Sequence, residues 1–116
     1  KSMALAVQCA RLADSKKAED IVVLDVSDVS SITSFFVICT GSIDRHVRAI
    51  ADEIEEKLKE DKVRYLHHDE DEDSLWIVID YVDVIVHVFE RQKRGYYQLE
   101  KLWADAETVS WNSTHE

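Results

Sequence analysis

The hydrophobic pattern changes period several times along the chain, and each change marks an element. Near the start, Leu5, Cys9 and Leu12 recur at spacings of four and three among alanines. That narrow stripe predicts an amphipathic helix over residues 3–14, ended by Asp14-Ser15-Lys16-Lys17. Ile21 to Val26 is mostly apolar and predicts a strand, and Ser27 to Ser31 is a linker rich in turn-forming Ser and Asp. Phe35-Phe36-Val37-Ile38-Cys39 predicts a second buried strand. Gly41-Ser42 then predicts a strand-to-helix turn, with Ser42 capping the helix that follows. Ile43, Val47, Ile50, Ile54 and Leu58 repeat at spacings of four, three, four and four, the clearest helical stripe in the chain. Val63 to Leu66 predicts a short strand.

The pattern then loses its polar face. Leu75 to Ile79 and Val84 to Phe89 are β-rich, almost uninterrupted apolar runs, separated only by Asp80-Tyr81-Val82-Asp83. A break this short between two such runs predicts a hairpin. Neither run alternates cleanly, so both faces of the hairpin are expected to be covered. Asp80, Tyr81 and Asp83 are then expected at an exposed turn, the first place to look for function. An acidic loop, Asp69-Glu70-Asp71-Glu72-Asp73, leads into the hairpin. After it, the basic cluster Arg91, Lys93 and Arg94 precedes a last helix carrying Leu99, Leu102, Trp103 and Ala106. The predicted order is α-β-β-α-β-β-β-α, a single α/β domain with a mixed five-stranded sheet and helices packed on it. It is expected to span residues 1–107, with 108–116 a polar C-terminal tail.

Composition narrows the function classes. The 116 residues are 46% apolar and 33% charged, enough for one real core and a well-solvated surface. No apolar run approaches the roughly 20 residues of a membrane span. With only two cysteines and no signal-peptide pattern at Lys1-Ser2-Met3, a reduced cytoplasmic setting is expected. Net charge is −10, from 24 acidic and 14 basic side chains. Phosphate backbones repel such a surface, so little direct nucleic-acid binding is expected and a basic protein partner is favoured. There is no proline, and Gly41 and Gly95 are the two glycines, which excludes a Gly-rich phosphate loop.

Candidate chemistry is sparse. The run from Asp69 looks superficially like a calcium loop, but Ser74 stands where the sharp-turn Gly belongs and Asp80 where a bidentate Glu belongs. His67 and His68 are adjacent and point to opposite sides of a strand, so they do not seed a zinc site together. His87, inside Val-Ile-Val-His-Val-Phe, reads as a hydrogen-bonded core or interface histidine. Asp80 and Asp83 are three apart across a turn, not the i, i+2 pair on one strand face that two-metal nucleotidyl transfer needs. No metal, cofactor or catalytic residue is expected. A nucleotidyltransferase-like nucleotide-binding protein or enzyme is the runner-up, and a homodimer through the same apolar patch a third reading.

Several segments in order carry a family resemblance that covers nearly the whole chain. Lys17-Ala18-Glu19-Asp20-Ile21, Phe35 to Ser42, Arg45-His46-Val47, Trp76 to Tyr81, Asp83 to Phe89 and Tyr97 to Ala106 resemble the ribosomal silencing factor family, also called Iojap-like proteins. The resemblance implies a nucleotidyltransferase-like α/β fold without the catalytic carboxylates. It also implies binding to the large ribosomal subunit through ribosomal protein L-fourteen, which blocks association with the small subunit and represses translation. The family's Trp and Asp-Tyr-x-Asp segment maps onto Trp76, Asp80, Tyr81 and Asp83, and its strand histidine onto His87. Together with Asp69, Glu70, Arg91 and Arg94, these are the expected partner-binding residues. Two departures stand out. Val82 occupies the family's usual glycine, where positive φ would strain a β-branched residue. The loop before Trp76 also lacks a glycine and is unusually acidic.

Overall fold

In the computed structural model, which describes residues 2–73, 75–93, 101 and 104–111, a six-stranded sheet carries two helices on one face. The elements are α1 (Ser2–Ser15), β1 (Glu19–Asp25), β2 (Phe35–Gly41), α2 (Asp44–Glu60), β3 (His67–Glu70), β4 (Trp76–Asp80), β5 (Val84–Glu90) and β6 (Glu107–Val109). The strand order is β3-β4-β5-β2-β1-β6. β2 runs parallel to β5, and every other neighbouring pair is antiparallel. Parallel neighbours need a long crossover, and α2 together with the β3–β4 arm supplies it. The mixed α/β class follows the prediction, with six strands instead of five.

Alternation along the strands divides the core in two. On the helix side, Val23, Phe35, Val37, Cys39, Ile77, Ile79, Val84, Val86 and Val88 meet Ala6, Cys9, Ala10 and Ala13 of α1 and Val47, Ile50, Ala51, Ile54 and Leu58 of α2. The alanine stripe lets α1 lie close to the sheet. Cys9 and Cys39 are buried thiols in this layer, and burial pushes Cys9 up to about 12. A thiol held so far from ionisation is inert packing. On the opposite face Leu24, Val26, Phe36, Ile38 and Phe89 form a second cluster with Trp76, Ile85 and Ala106. β2 is buried along its whole length because it is central to both layers.

Gly41 is required by the close approach of α2. A Cβ there would stand 2.8 Å from the Val47 backbone nitrogen and 2.9 Å from its Cγ2. Ser42, expected as the cap, lies one position early. Ile43 is the N-cap and makes no side-chain cap bond; instead the Ser42 N–H donates to His46 Nδ1 at 2.8 Å. His46 Nε2 in turn lies 2.7 Å from the Lys16 carbonyl, which ties the two helices at one end of the sheet.

Both helices end in the same way, without glycine. Lys17 at φ 64 and Lys62 at φ 66 take the left-handed position. After α1, Lys17 N–H reaches the Asp14 carbonyl and Ala18 N–H the Ala13 carbonyl; after α2, Lys62 N–H reaches the Lys59 carbonyl and Val63 N–H the Leu58 carbonyl, in each case the paired bonds of a Schellman ending.

That ending corrects the prediction of a strand over Val63–Leu66. Val63 is committed to terminating α2 and packs on the helix-side core, so pairing begins only at His67, opposite Asp80. Asp69 and Glu70 accordingly lie in an edge strand and not in a loop. Asp71 makes the turn, its Oδ1 accepting from the backbone N–H of Leu75 at 2.7 Å and of Trp76 at 3.3 Å. At the far edge Glu107–Val109 pairs with β1, a sixth strand too short and polar to announce itself in the pattern. Residues 91–93, in the basic cluster expected to precede the last helix, are themselves helical. Ala106, expected in the last helix, is in the turn before β6, while Leu99, Leu102 and Trp103 lie outside the described residues.

Candidate functional site

β-strand alternation sorts the expected partner-binding residues by face. Asp69 pairs opposite Val78 and Trp76 opposite Phe89, while Asp80 lies between His67 and Ile85. Asp69, Trp76, Asp80 and His87 therefore share the sheet face away from α1 and α2. Glu70 does not join them. It pairs opposite Ile77 and turns toward α2, where Arg48 bonds its carboxylate.

Trp76 is the centre of that face. Its Nε1–H donates to His87 Nδ1 at 3.2 Å, and its ring stacks on Phe89 with centroids 5.2 Å apart. Phe36 meets the His87 ring edge-on at 5.2 Å. Burial among these rings pushes His87 down to about 4, so the imidazole is neutral and its Nδ1 is the acceptor. Trp76, itself half-buried, is thus fixed by a group beneath it.

The hairpin tip departs from expectation. Tyr81, expected to be exposed, is only 7% exposed and belongs to the helix-side core. Its hydroxyl is buried with no hydrogen-bond partner among the described residues, and burial pushes the phenol well above its usual range. The cause is the turn. Val82 adopts φ 77, and Asp83 N–H donates back to the Tyr81 carbonyl at 2.9 Å, a γ-turn with positive central φ. The positive φ expected to strain a β-branched residue is therefore adopted by Val82 itself. So tight a reversal sends Val82 outward and Tyr81 inward. Asp80 supports it by accepting the Val82 N–H at 2.7 Å through Oδ1. The Asp83 carbonyl takes the N–H groups of Ser34 and Phe35, and its Oδ2 lies 3.3 Å from the Ser2 hydroxyl. Asp80 and Asp83 are thus both engaged in holding the turn and do not face one another as a metal-binding pair. Among the described residues no three His, Cys, Asp or Glu side chains are grouped to hold a metal ion.

The remaining expected residues lie apart. Arg91 forks onto Glu19, with Nη2 at 2.8 and 2.7 Å from its two oxygens, and this bond holds Glu19 below the usual carboxylate range. Arg94 lies outside the described residues. One cluster was missed by sequence reasoning. His68 lies between Glu55 of α2, on its Nδ1, and Glu70, 2.8 Å from its Nε2. Burial opposes protonation of His68, but the bonds to Glu70 and Glu55 outweigh it and raise its pKa. The signal was available in principle: once β3 pairs with β4, the period of two sends His68 and Glu70 to the helix face.

The fold and the site define a small acidic α/β domain whose candidate site, among the described residues, is a sheet face carrying aromatic and carboxylate groups. The chain belongs to the family described as ribosomal silencing factor during starvation, which matches residues 1–116. The ribosomal silencing factor RsfS of Bacillus subtilis is 42% identical over 93 residues, 80% of this chain and 79% of that one. A Chromobacterium violaceum crystal structure has TM-score 0.86 at 29% identity, covering 97% of this chain and 92% of that one. A Bacillus halodurans crystal structure has TM-score 0.77 at 39% identity, covering 93% and 95%.

Proposed function

We propose that this domain represses translation by docking, in the cytoplasm, on ribosomal protein L-fourteen of the large ribosomal subunit. Once docked, it occupies space that the small subunit needs, and no bond is made or broken. The family match over residues 1–116 carries this reading. A net charge of −10 favours a basic protein partner over direct contact with RNA. On the docking face Trp76 supplies apolar area, Asp69 and Asp80 share that face, and His87 acts from beneath by fixing the indole. Asp83 extends the surface at the tip. Glu70 and Tyr81 contribute indirectly, through α2 and the core. Arg91 is engaged with Glu19.

Calorimetric titration of purified L-fourteen into the protein tests the docking. Binding that weakens as salt rises, and that falls roughly tenfold or more in Trp76→Ala, is expected for an aromatic anchor on a face shared with carboxylates. Absence of heat with the unaltered protein would remove the reading.

A further inference from the structure

Large apolar side chains left exposed on a small domain are informative when they gather in one place. Among the described residues seven are so exposed, and all but Ile43 lie at the end of the sheet where the β4–β5 turn sits. Ile32 is 73% exposed, Leu66 61% and Val82 53%. Hydrogen bonds gather their backbones around that turn. Leu66 N–H donates to the Asp80 carbonyl at 2.7 Å, and Ser34 N–H, two residues after Ile32, donates to the Asp83 carbonyl at 3.1 Å. Val82 is the centre of the turn itself. The three side chains are thus carried by three segments bonded to one hub, the preorganisation that lets a contact form with little ordering loss.

Charge identifies the occupant. Asp80 and Asp83 flank Val82 in the turn, and neither residues 18–44 nor residues 65–90 contain a single Lys or Arg, Arg64 being the basic residue nearest along the chain. A second copy of the chain would bring these carboxylates against their own kind across a two-fold contact. A protein presenting apolar side chains ringed by Lys and Arg meets no such penalty.

We infer that Ile32, Leu66 and Val82 form an apolar anchor, rimmed by carboxylates, that seats the domain on its basic protein partner. The anchor rests on the proposed docking to the large subunit and adds to it residues outside the Trp76 face. It also assigns a role to the Val82 turn: holding an apolar side chain outward at the tip.

Pelleting of the full chain with purified large subunits, across a range of protein concentration, tests the anchor. Ile32→Ser and Leu66→Ser are compared with Ile43→Ser, a change at another exposed apolar residue, 50% exposed, at the opposite end of the sheet. The expected result is unaltered binding for Ile43→Ser and roughly tenfold or greater weakening for the other two, with thermal unfolding unchanged in Ile32→Ser and Leu66→Ser and no lower in Ile43→Ser, which places a capping hydroxyl at the start of α2. If the unaltered protein pellets with the subunits and Ile32→Ser and Leu66→Ser do so equally well, the anchor is overturned while the docking stands. If the unaltered protein fails to pellet, the docking itself fails and the anchor with it. Light scattering gives one further outcome: a doubled mass that Leu66→Ser abolishes would make the patch a self-association surface and overturn the anchor.

Discussion

Trp76 and His87 are joined diagonally across β4 and β5, the indole N–H donating to Nδ1 at 3.2 Å while the two rings stack with centroids 6.1 Å apart. The bond needs a neutral imidazole, because a protonated His87 has no lone pair at Nδ1 to offer. It also fixes the orientation of a half-buried tryptophan on the sheet face opposite the two helices. Order in the candidate site therefore depends on the protonation of a residue that lies under it.

A pH dependence follows with a definite sign. His87 has a folded pKa near 4 against an ordinary 6.5. The unfolded chain binds a proton in that window and the folded chain does not. The stabilisation is therefore complete above pH 6.5 and lost as pH falls toward 4, about 3 kcal/mol in all for a shift of that size. Urea unfolding at pH 7 and pH 4.5 measures it. His87→Gln, which keeps an acceptor for Trp76, should lose less stability over that interval than the unaltered protein. An equal loss would show that His87 is not the group responsible.

His68 works in the opposite direction. Its pKa is raised above 6.5 by Glu70 and Glu55, so its stabilisation is complete below that value and disappears as pH rises through the folded pKa. Because the pair joins β3 to α2, the loss should be local to the edge strand. Hydrogen exchange of the β3 amides, corrected for intrinsic rate, is expected to quicken between pH 6.5 and pH 9 in the unaltered protein. In His68→Gln it should be fast at both.

Tyr81→Phe removes a hydroxyl that is buried without a partner among the described residues. Such a group costs about 1–3 kcal/mol to bury, and the ring keeps its packing. The variant should be more stable by about 1 kcal/mol, read as a higher urea midpoint at unchanged m-value. A lower midpoint would show that the hydroxyl is bonded in solution.

Val82→Gly sets two effects against each other. Relief of a β-branched residue at positive φ is worth about 1–3 kcal/mol, and the extra freedom of glycine in the unfolded chain takes back about 0.5–1 kcal/mol. Net stabilisation of about 1 kcal/mol is expected in thermal unfolding. Destabilisation would mean that the turn holds no strain.

Sequence pattern was a good guide wherever burial imposed a period. The α2 stripe from Val47 to Leu58, the β2 run from Phe35 and the β4–β5 hairpin were all legible, because each buries a continuous apolar set. Elements specified by their neighbours were not. His67–Glu70 is polar, and only pairing with β4 makes it a strand; Val63–Leu66 has the more strand-like composition but is held by the ending of α2. Thr108 and Val109 likewise become strand only beside β1. At the tip, polar flanks suggested that Tyr81 was exposed, and one left-handed residue, Val82, reversed that. The candidate site was legible as a set of residue types, but its division between two faces became visible only with the strand register.

The central claim is that the docked domain keeps the subunits apart, and a subunit-joining assay tests it most directly. Small subunits are mixed with large subunits preincubated with the protein, and joining is followed by light scattering. The amplitude of joining should fall with added protein to near zero at saturation, and Trp76→Ala should restore it in proportion to its lost affinity. Full joining with the protein demonstrably bound to the large subunit would contradict the account.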